Sequence, residues 1–319
     1  MYTWIDYNQD GIKDLNEFEI AQFVDQASYI RVFTPSNNYV KTYSNELNQG
    51  IFFKPEKIWQ NATGIKKVVG LMSDQLRMRI NRKTNHFDGS SYFNPFIFQI
   101  SDTSLISTNY NLRNTLYFNR ISSIIGGEYI YQDNQTKTLL ATGFDARNQR
   151  YHEFNLRWNI KRVILFEINY QQGTKEVKAD YTSGRNFFLQ YHQLKPTISY
   201  QPSTTTRFTL ESRFSNKNAI SGEHAYVKEL TLRSKYNQAE KGSLQASFSI
   251  LKIDFQGNAS SAVGFELLEA LKPGNNATWN VGYQRNVSKK LQISIQYTGR
   301  KSESSRIIHT GGMEVRAYF

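Results

Sequence analysis

The chain has 319 residues and a formal net charge of +12, with five His, no Cys, 20 Tyr and 21 Phe. Its mean hydropathy is −0.58 and no apolar run approaches the ~18 residues that a spanning helix needs, which excludes a helical membrane protein. Lys and Arg are spread along the sequence, and no zinc-finger, RNP-type or helix-turn-helix pattern organises them, so nucleic acid is not an expected partner.

An export signal would place a basic region and then an apolar region near Met1. Instead Asp6 and Asp10 arrive almost at once, and the expectation is a mature chain or a fragment. The run Asp6, Asn8, Asp10, Gly11, Ile12, Asp14 and Glu17 has the spacing of an EF-hand-type calcium loop: oxygen donors at loop positions 1, 3, 5, 9 and 12 with glycine at 6. A hard cation takes six to eight oxygens, and the glycine permits the turn that aims them inward. Ile12 would offer its backbone carbonyl and Glu17 both carboxylate oxygens. Lys13 stands where paired hands carry an apolar bridge residue, and five residues before the loop are too few for an entering helix. The expectation is a lone, structural Ca²⁺ loop with an exiting helix from Glu17 to about Gln26. The alternative is an Asx-rich turn capping that helix; metal is favoured because a chance match of all these positions is rare.

Residues 27–66, with Pro35, Pro55 and several Asn, read as a linker, so residues 1–66 form an appendage and residues 67–319 the main domain. The first clear alternation is Leu76, Met78 and Ile80 against Arg77, Arg79 and Asn81. Phe154, Leu156, Trp158 and Ile160 then oppose Asn155, Arg157 and Asn159, and Ile164, Phe166, Ile168 and Tyr170 oppose Leu165, Glu167 and Asn169. Phe208, Leu210 and Phe214, then Leu244, Ala246, Phe248 and Ile250, then Trp279, Val281 and Tyr283 continue the pattern, with no amphipathic helix of convincing length between them. Each run suits a strand with one lipid face and one wet face, and the count is about fourteen strands of roughly 8 to 12 residues. The predicted fold is all-β, an antiparallel up-and-down transmembrane β-barrel.

Residues 133–136, 160–162 and 286–288 read as short periplasmic turns, and residues 171–185 and 299–309 as longer outside loops. Trp158, Tyr170, Trp279, Tyr283 and Tyr297 suit interfacial girdles. The interior face is expected to carry Arg113, Arg157, Arg213, Arg233 and Arg316 with Glu153, Glu167 and Glu211. That set reads as a self-satisfying mixed-charge wall or, more sharply, as a pore with mild anion preference. No nucleophile, zinc or phosphate-loop motif is present; a His309 and Glu303 pair is conceivable, but no triad can be assembled and catalysis is not expected.

The last strand alternates Met313, Val315, Ala317 and Phe319 against Glu314, Arg316 and Tyr318. A terminal Phe with apolar residues at every second position before it resembles the C-terminal signal of bacterial outer-membrane barrels. That resemblance implies the barrel-assembly machinery as a partner and outer-membrane lipid as surroundings. The run from Tyr297 to Ser302, the run from Ile308 to Phe319, and the N-terminal runs Trp4 to Gly11, Glu17 to Ile20 and Asp25 to Arg31 resemble large outer-membrane proteins of the Bacteroidota. Those proteins are usually longer, which implies that this chain is a C-terminal portion. The reading is an outer-membrane barrel acting as channel, translocation or scaffold component; the alternatives are a secreted adhesive or structural β-protein and a barrel enzyme.

Overall fold

A computed structural model describes residues 1–7, 9–32, 39–59, 62–86, 104–140, 143–180, 183–303 and 305–318. Most of these residues belong to one thirteen-stranded sheet in which every strand pairs antiparallel with its neighbours in sequence. Its strands are β3 (Tyr43–Phe53), β4 (Met72–Thr84), β5 (Leu105–Phe118), β6 (Ile125–Leu140), β7 (Gly143–Lys161), β8 (Ile164–Ala179) and β9 (Phe187–Tyr200). They continue as β10 (Thr206–Ala219), β11 (His224–Gln238), β12 (Gly242–Gln256), β13 (Gly274–Ser288), β14 (Leu291–Ser302) and β15 (Ile308–Ala317). A separate two-stranded hairpin joins β1 (Tyr2–Trp4) to β2 (Phe18–Ile20). Among the described residues three short α-helices accompany the sheets: α1 (Glu56–Trp59), α2 (Ile65–Val69) and α3 (Ala262–Leu268).

Period-two alternation becomes two chemically distinct faces because the register keeps like with like. Between β7 and β8, Phe154 faces Tyr170, Leu156 faces Ile168 and Trp158 faces Phe166, while on the other face Arg157 meets Glu167 and Asn155 meets Asn169. A water-soluble sheet would bury the apolar face. Here Trp158 is 44% exposed, Leu232 55% and Phe248 49%, whereas polar residues of the opposite face such as Ser215 (1%) and Thr231 (2%) are buried. A β-sandwich would cover its apolar face with a second sheet, but the only second sheet among the described residues is the hairpin, with three residues per strand. Apolar outside, polar inside and strictly up-and-down, the fold is that of a transmembrane-type antiparallel β-barrel.

The apolar exterior occupies only part of each strand. On β8 it runs from Ile164 to Tyr170, roughly 20 Å along the strand and of the same order as the ~25 Å band of outer-membrane barrels. Beyond it the outer face turns polar, with Gln172, Thr174, Glu176 and Lys178 on β8, Asn148 and Arg150 on β7 and Gln190 on β9. Asp133 and Arg150 pair at 3.0 Å in this zone. That wet zone explains several differences from the sequence reading. Residues 133–136 are polar but lie inside β6, β8 continues through Ala179, and β14 continues through Ser302. The 286–288 turn falls instead at 289–290.

The sheet begins at Tyr43, well before residue 67, because Leu47 and Ile51 on β3 lie opposite Ile80 and Leu76 on β4. The described sheet has thirteen strands where about fourteen were expected. An odd count sends β3 and β15 the same way, so the start of β3 lies at one end of the sheet and the end of β15 at the other. The connections at residues 162–163, 239–241 and 289–290 share the end where β15 finishes, here termed the short-turn end. The chain leaves β8, β12 and β14 at the opposite end, here termed the long-loop end, where residues 183–186, 257–273 and 305–307 lie.

Inserting Arg at Phe248, in the middle of the apolar band, should cost about 2–4 kcal/mol in lipid, while Gln190→Arg in the wet zone should cost little. Folding into zwitterionic vesicles, followed by electrophoresis with and without boiling, reads the folded fraction as heat-modifiable mobility. Equal folding of the two variants, or a wild-type monomer that stays soluble without detergent, would overturn the transmembrane assignment.

Candidate metal centre and the occupied lumen

The acidic loop closes the β1–β2 hairpin. Tyr2 pairs with Ile20, Thr3 with Glu19 and Trp4 with Phe18, and Tyr29 adds a bridge to Tyr2. The expected helix from Glu17 to Gln26 does not form. Leu15–Glu17 is one 3-10 turn, Phe18–Ile20 is strand, and Val24–Gln26 is a second 3-10 turn. An isolated helix of that length is marginal in water. The strand is the better alternative because it pairs with β1 and sets Phe18 edge-on against Tyr29, with ring centroids 5.1 Å apart.

Within the loop, carboxylate oxygens of Asp6, Asp10 and Glu17 lie within 4.8 Å of one another, the one such cluster among the described residues. Glu17 is 1% exposed and accepts hydrogen bonds from the Trp4 indole N–H at 2.7 Å and the Tyr7 amide at 3.2 Å. Asp6 Oδ2 accepts from the Gly11 amide at 3.0 Å, and Asp10 Oδ1 from the Ile12 amide at 2.7 Å. The loop turns through left-handed backbone at Gln9 (φ 61°) and Gly11 (φ 75°), and the glycine adopts that conformation without steric cost. Asp6 Oδ1 is buried with no hydrogen-bond partner. A desolvated carboxylate oxygen beside two more carboxylates fits a hard divalent cation.

The remaining predicted ligands fare differently. Asp14 is outside the cluster; its amide donates to the Ile12 carbonyl at 3.2 Å, which engages the oxygen expected to face the ion. Asn8 lies outside the described residues. Lys13 has a role that its position in the loop did not suggest: its ammonium sits 5.5 Å from the ring centroids of both Trp4 and Tyr29.

The hairpin and the segment after it reach into the barrel. Leu15 and Phe18 share a cavity with Leu140 and Phe144 at the β6–β7 end, whereas Val24 borders another beside Gln296 of β14 and Gly312 of β15. On a flat sheet those places would be about 40 Å apart at ~4.8 Å per strand, yet the chain from Phe18 to Val24 reaches only about 20 Å. The sheet is therefore curled around this segment. Arg185, between β8 and β9, grips Glu19 at 3.1 and 3.0 Å, and Arg300 of β14 bonds Asp25 and stacks over Phe23 at 4.2 Å. Tyr7 donates to Glu19 at 3.3 Å; burial, aided by the Glu19 charge, pushes its phenol well above its ordinary value.

A second element, α3, folds inward from the β12–β13 connection. Ser261 caps it by accepting the Gly264 amide at 3.0 Å, and Val263 and Leu267 pack on Leu189, Ala219 and Ala225. Leu268 and Leu271 join Val227, Leu251 and Ile253, with Phe23 against them, so the two inward elements share one small core. Glu269 ends the helix in left-handed backbone (φ 54°) and receives Arg213 at 2.7 and 2.8 Å and Lys217 at 2.6 Å. Lys175 of β8 reaches Glu266 at 2.6 Å. Burial raises the Glu269 carboxyl, but the hydrogen bonds and charges of Arg213 and Lys217 outweigh it and hold the pKa at about 2. Sequence reasoning missed α3; its signals are the Ser261 cap and the apolar residues Val263, Leu267 and Leu268, compressed into seven residues.

Towards the short-turn end the lumen holds a cavity of about 750 Å³ lined by Arg120, Arg157, Lys195, Arg207 and Arg233 with Glu128, Glu167 and Glu211. Several of the expected wall residues satisfy one another or their neighbours: Arg233 pairs with Glu211 at 3.0 Å, Arg213 with Glu229 at 2.6 Å and Arg316 with Glu314 at 2.7 Å. Glu153 is held by Asn155 and Asn169 at 2.7 and 2.8 Å. His309 is bonded to Tyr297 at 2.7 Å, and Glu303 accepts the Asn275 amide at 3.0 Å, so these two are committed to other partners.

No protein-family model matches the sequence, and no curated protein matches it. Among solved structures, LpxR from Salmonella typhimurium aligns at 7% identity with a TM-score of 0.30, over 66% of this chain and 88% of that one. CdiB from Acinetobacter baumannii aligns at 11% identity with a TM-score of 0.40, over 88% of this chain and 54% of that one, so the chain spans about half of CdiB. Both likenesses are loose.

The Glu269 bridge gives a pH dependence of defined sign. Its carboxyl titrates at about 2, below the ordinary carboxylate value, so its contribution is complete above the unfolded pKa and is lost as pH falls towards 2. Pepsin cleavage within residues 257–273 should therefore stay slow at pH 4 and accelerate as pH approaches about 2. In Glu269→Gln, cleavage should already be fast at pH 4. A wild-type transition at pH 4 to 5 would show that the bridge does not hold α3.

Proposed function

We propose that this chain is an integral outer-membrane β-barrel protein acting as a translocation or scaffold component, and as a channel only when its inward elements move. The observation that carries this reading is the inverted sheet, with an apolar exterior and a polar, hydrogen-bonded interior. The long-loop end is occupied by the N-terminal segment and α3, both held by ion pairs, which favours a closed state over a freely open pore. No catalytic role is proposed, and no nucleic-acid partner. The partners in this reading are outer-membrane lipid and the barrel-assembly machinery, the latter through the strand that ends at Phe319, which lies outside the described residues. The resemblance to large Bacteroidota outer-membrane proteins makes such a bacterium the proposed source.

Deleting Phe319 should lower the amount of protein in the outer membrane far more than a substitution at Ser304, also outside the described residues. Equal outer-membrane levels for the two variants would remove the terminal strand from assembly recognition.

The acidic loop is proposed as a structural Ca²⁺ site held by Asp6, Asp10 and Glu17, with Asn8, Asp14 and the Ile12 carbonyl as the further donors of the loop pattern. Its support is the buried, unpartnered Asp6 oxygen beside two other carboxylates. Affinity on the order of 10⁻⁵ to 10⁻³ M suits a lone extracytoplasmic loop. Calorimetric titration of wild type, Asp6→Asn and Glu17→Ala checks this: Ca²⁺ heat should appear in the first and be lost in the other two. Identical heats in all three would mean that these residues form only a capped turn.

A further inference from the structure

The outer face carries a groove across β10 to β14, of about 720 Å³, whose floor is Phe214, Leu230, Ile250 and Ala277. It exists because the register places small residues beside large ones: Ser212 lies opposite Leu230, and Ala277 opposite Ile250. At its edge toward the long-loop end the chemistry changes abruptly. Lys228 and Lys252 lie directly opposite each other on adjacent strands, and Lys301 lies opposite Ala277. Like charges directly opposite are destabilising, and the nearby carboxylates do little to relieve this pair. Asp254 is 3.8 Å from Lys252, with both side chains more than half exposed, and Glu303 is turned to the Asn275 amide at 3.0 Å.

We infer that this groove is a lipid-binding site for one acyl lipid whose phosphate headgroup carries net negative charge. The inference rests on the membrane reading above. An acyl chain covers Leu230, Ile250 and Phe214, which are 41%, 48% and 40% exposed, so its contact removes apolar surface already facing outward. The lysine stems run along that surface and carry their ammonium groups to headgroup depth. There a phosphate bridges Lys228 and Lys252, converting their repulsion into two charge-assisted contacts, and Lys301 closes the third side. Charge complementarity commits the occupant to an anionic lipid, since a zwitterionic headgroup brings its own cation into a cationic rim.

The test uses the full chain folded in dodecyl maltoside and native mass spectrometry of retained lipid, with phosphatidylglycerol, phosphatidylcholine and inorganic phosphate as probes. One phosphatidylglycerol should be retained in preference to phosphatidylcholine, and retention should fall about fivefold for each lysine removed. The combined variant Lys228→Gln, Lys252→Gln, Lys301→Gln should lose the preference. A charge-matched Lys178→Gln, Lys289→Gln, Lys290→Gln protein should keep it. Equal retention of the two lipids, equal loss in both variants, or displacement by millimolar phosphate would each overturn the proposal. If the combined variant does not fold, as judged by heat-modifiable mobility, Lys252→Gln alone carries the comparison. Failure of the wild type to fold in zwitterionic lipid would sink the membrane reading itself; folding without lipid preference would sink only the groove.

Discussion

Backbone hydrogen bonding between sequential neighbours is the constraint from which the rest of this molecule follows. Each strand from β4 to β14 gives its N–H and C=O groups to the strands on either side, so the sheet needs no water and no packed core to satisfy its backbone. Side chains are thereby released to meet two different surroundings. The outer face can be as apolar as Phe154, Trp158 and Phe248 make it, and the inner face must find hydrogen-bond partners in a confined space. Arg213 illustrates the result: it bonds Glu229 on the adjacent strand and Glu269 beyond α3, so one guanidinium ties the wall to the element that fills it.

The filling elements obey the same economy of surface. Neither α3 nor the N-terminal segment has an apolar face large enough to fold alone, yet Phe23, Leu268 and Leu271 share one cluster with Val227, Leu251 and Ile253 of the wall. Apolar residues of the inner face are thus concentrated where something covers them. At the cavity lined by Arg157, Glu167 and Asn169 that face is polar. The barrel is asymmetric along its axis, covered at the long-loop end and hollow towards the short turns.

Much of the fold was legible because a period-two pattern survives where the strands cross the apolar band, most clearly from Phe154 to Trp158 on β7, Leu244 to Ile250 on β12 and Leu291 to Tyr297 on β14. Legibility ended where the outer face becomes wet. There Asp133, Gln135 and Arg150 satisfy one another across β6 and β7, so polarity no longer marks a turn, and β6 runs on through residues that look like one. The acidic loop was legible as a spacing of oxygen donors, and Asp6, Asp10 and Glu17 do converge. Its exit was not, since the choice of strand over helix at Phe18 depends on Trp4, Tyr2 and Tyr29, contacts that no local propensity encodes. The same holds for α3, whose seven residues are specified by the wall they meet.

The acidic loop and the lumen are linked through adjacent residues. Glu17, a member of the carboxylate cluster, is bonded to Trp4 on β1; Glu19, two residues on, is bonded to Arg185 between β8 and β9. Glu17 closes the 3-10 turn and Glu19 lies in the middle of β2, so two residues of chain separate the carboxylate in the loop from the one that meets Arg185. Tyr7 joins them from the far side of the loop, with its amide on Glu17 and its phenol on Glu19. Three carboxylates held together without a cation repel one another, and the relief of that repulsion lies in opening the hairpin, the movement that would also withdraw Glu19 from Arg185. In the proposed Ca²⁺-bound state, neutralising these carboxylates favours the closed hairpin and with it the contact of Glu19 with Arg185.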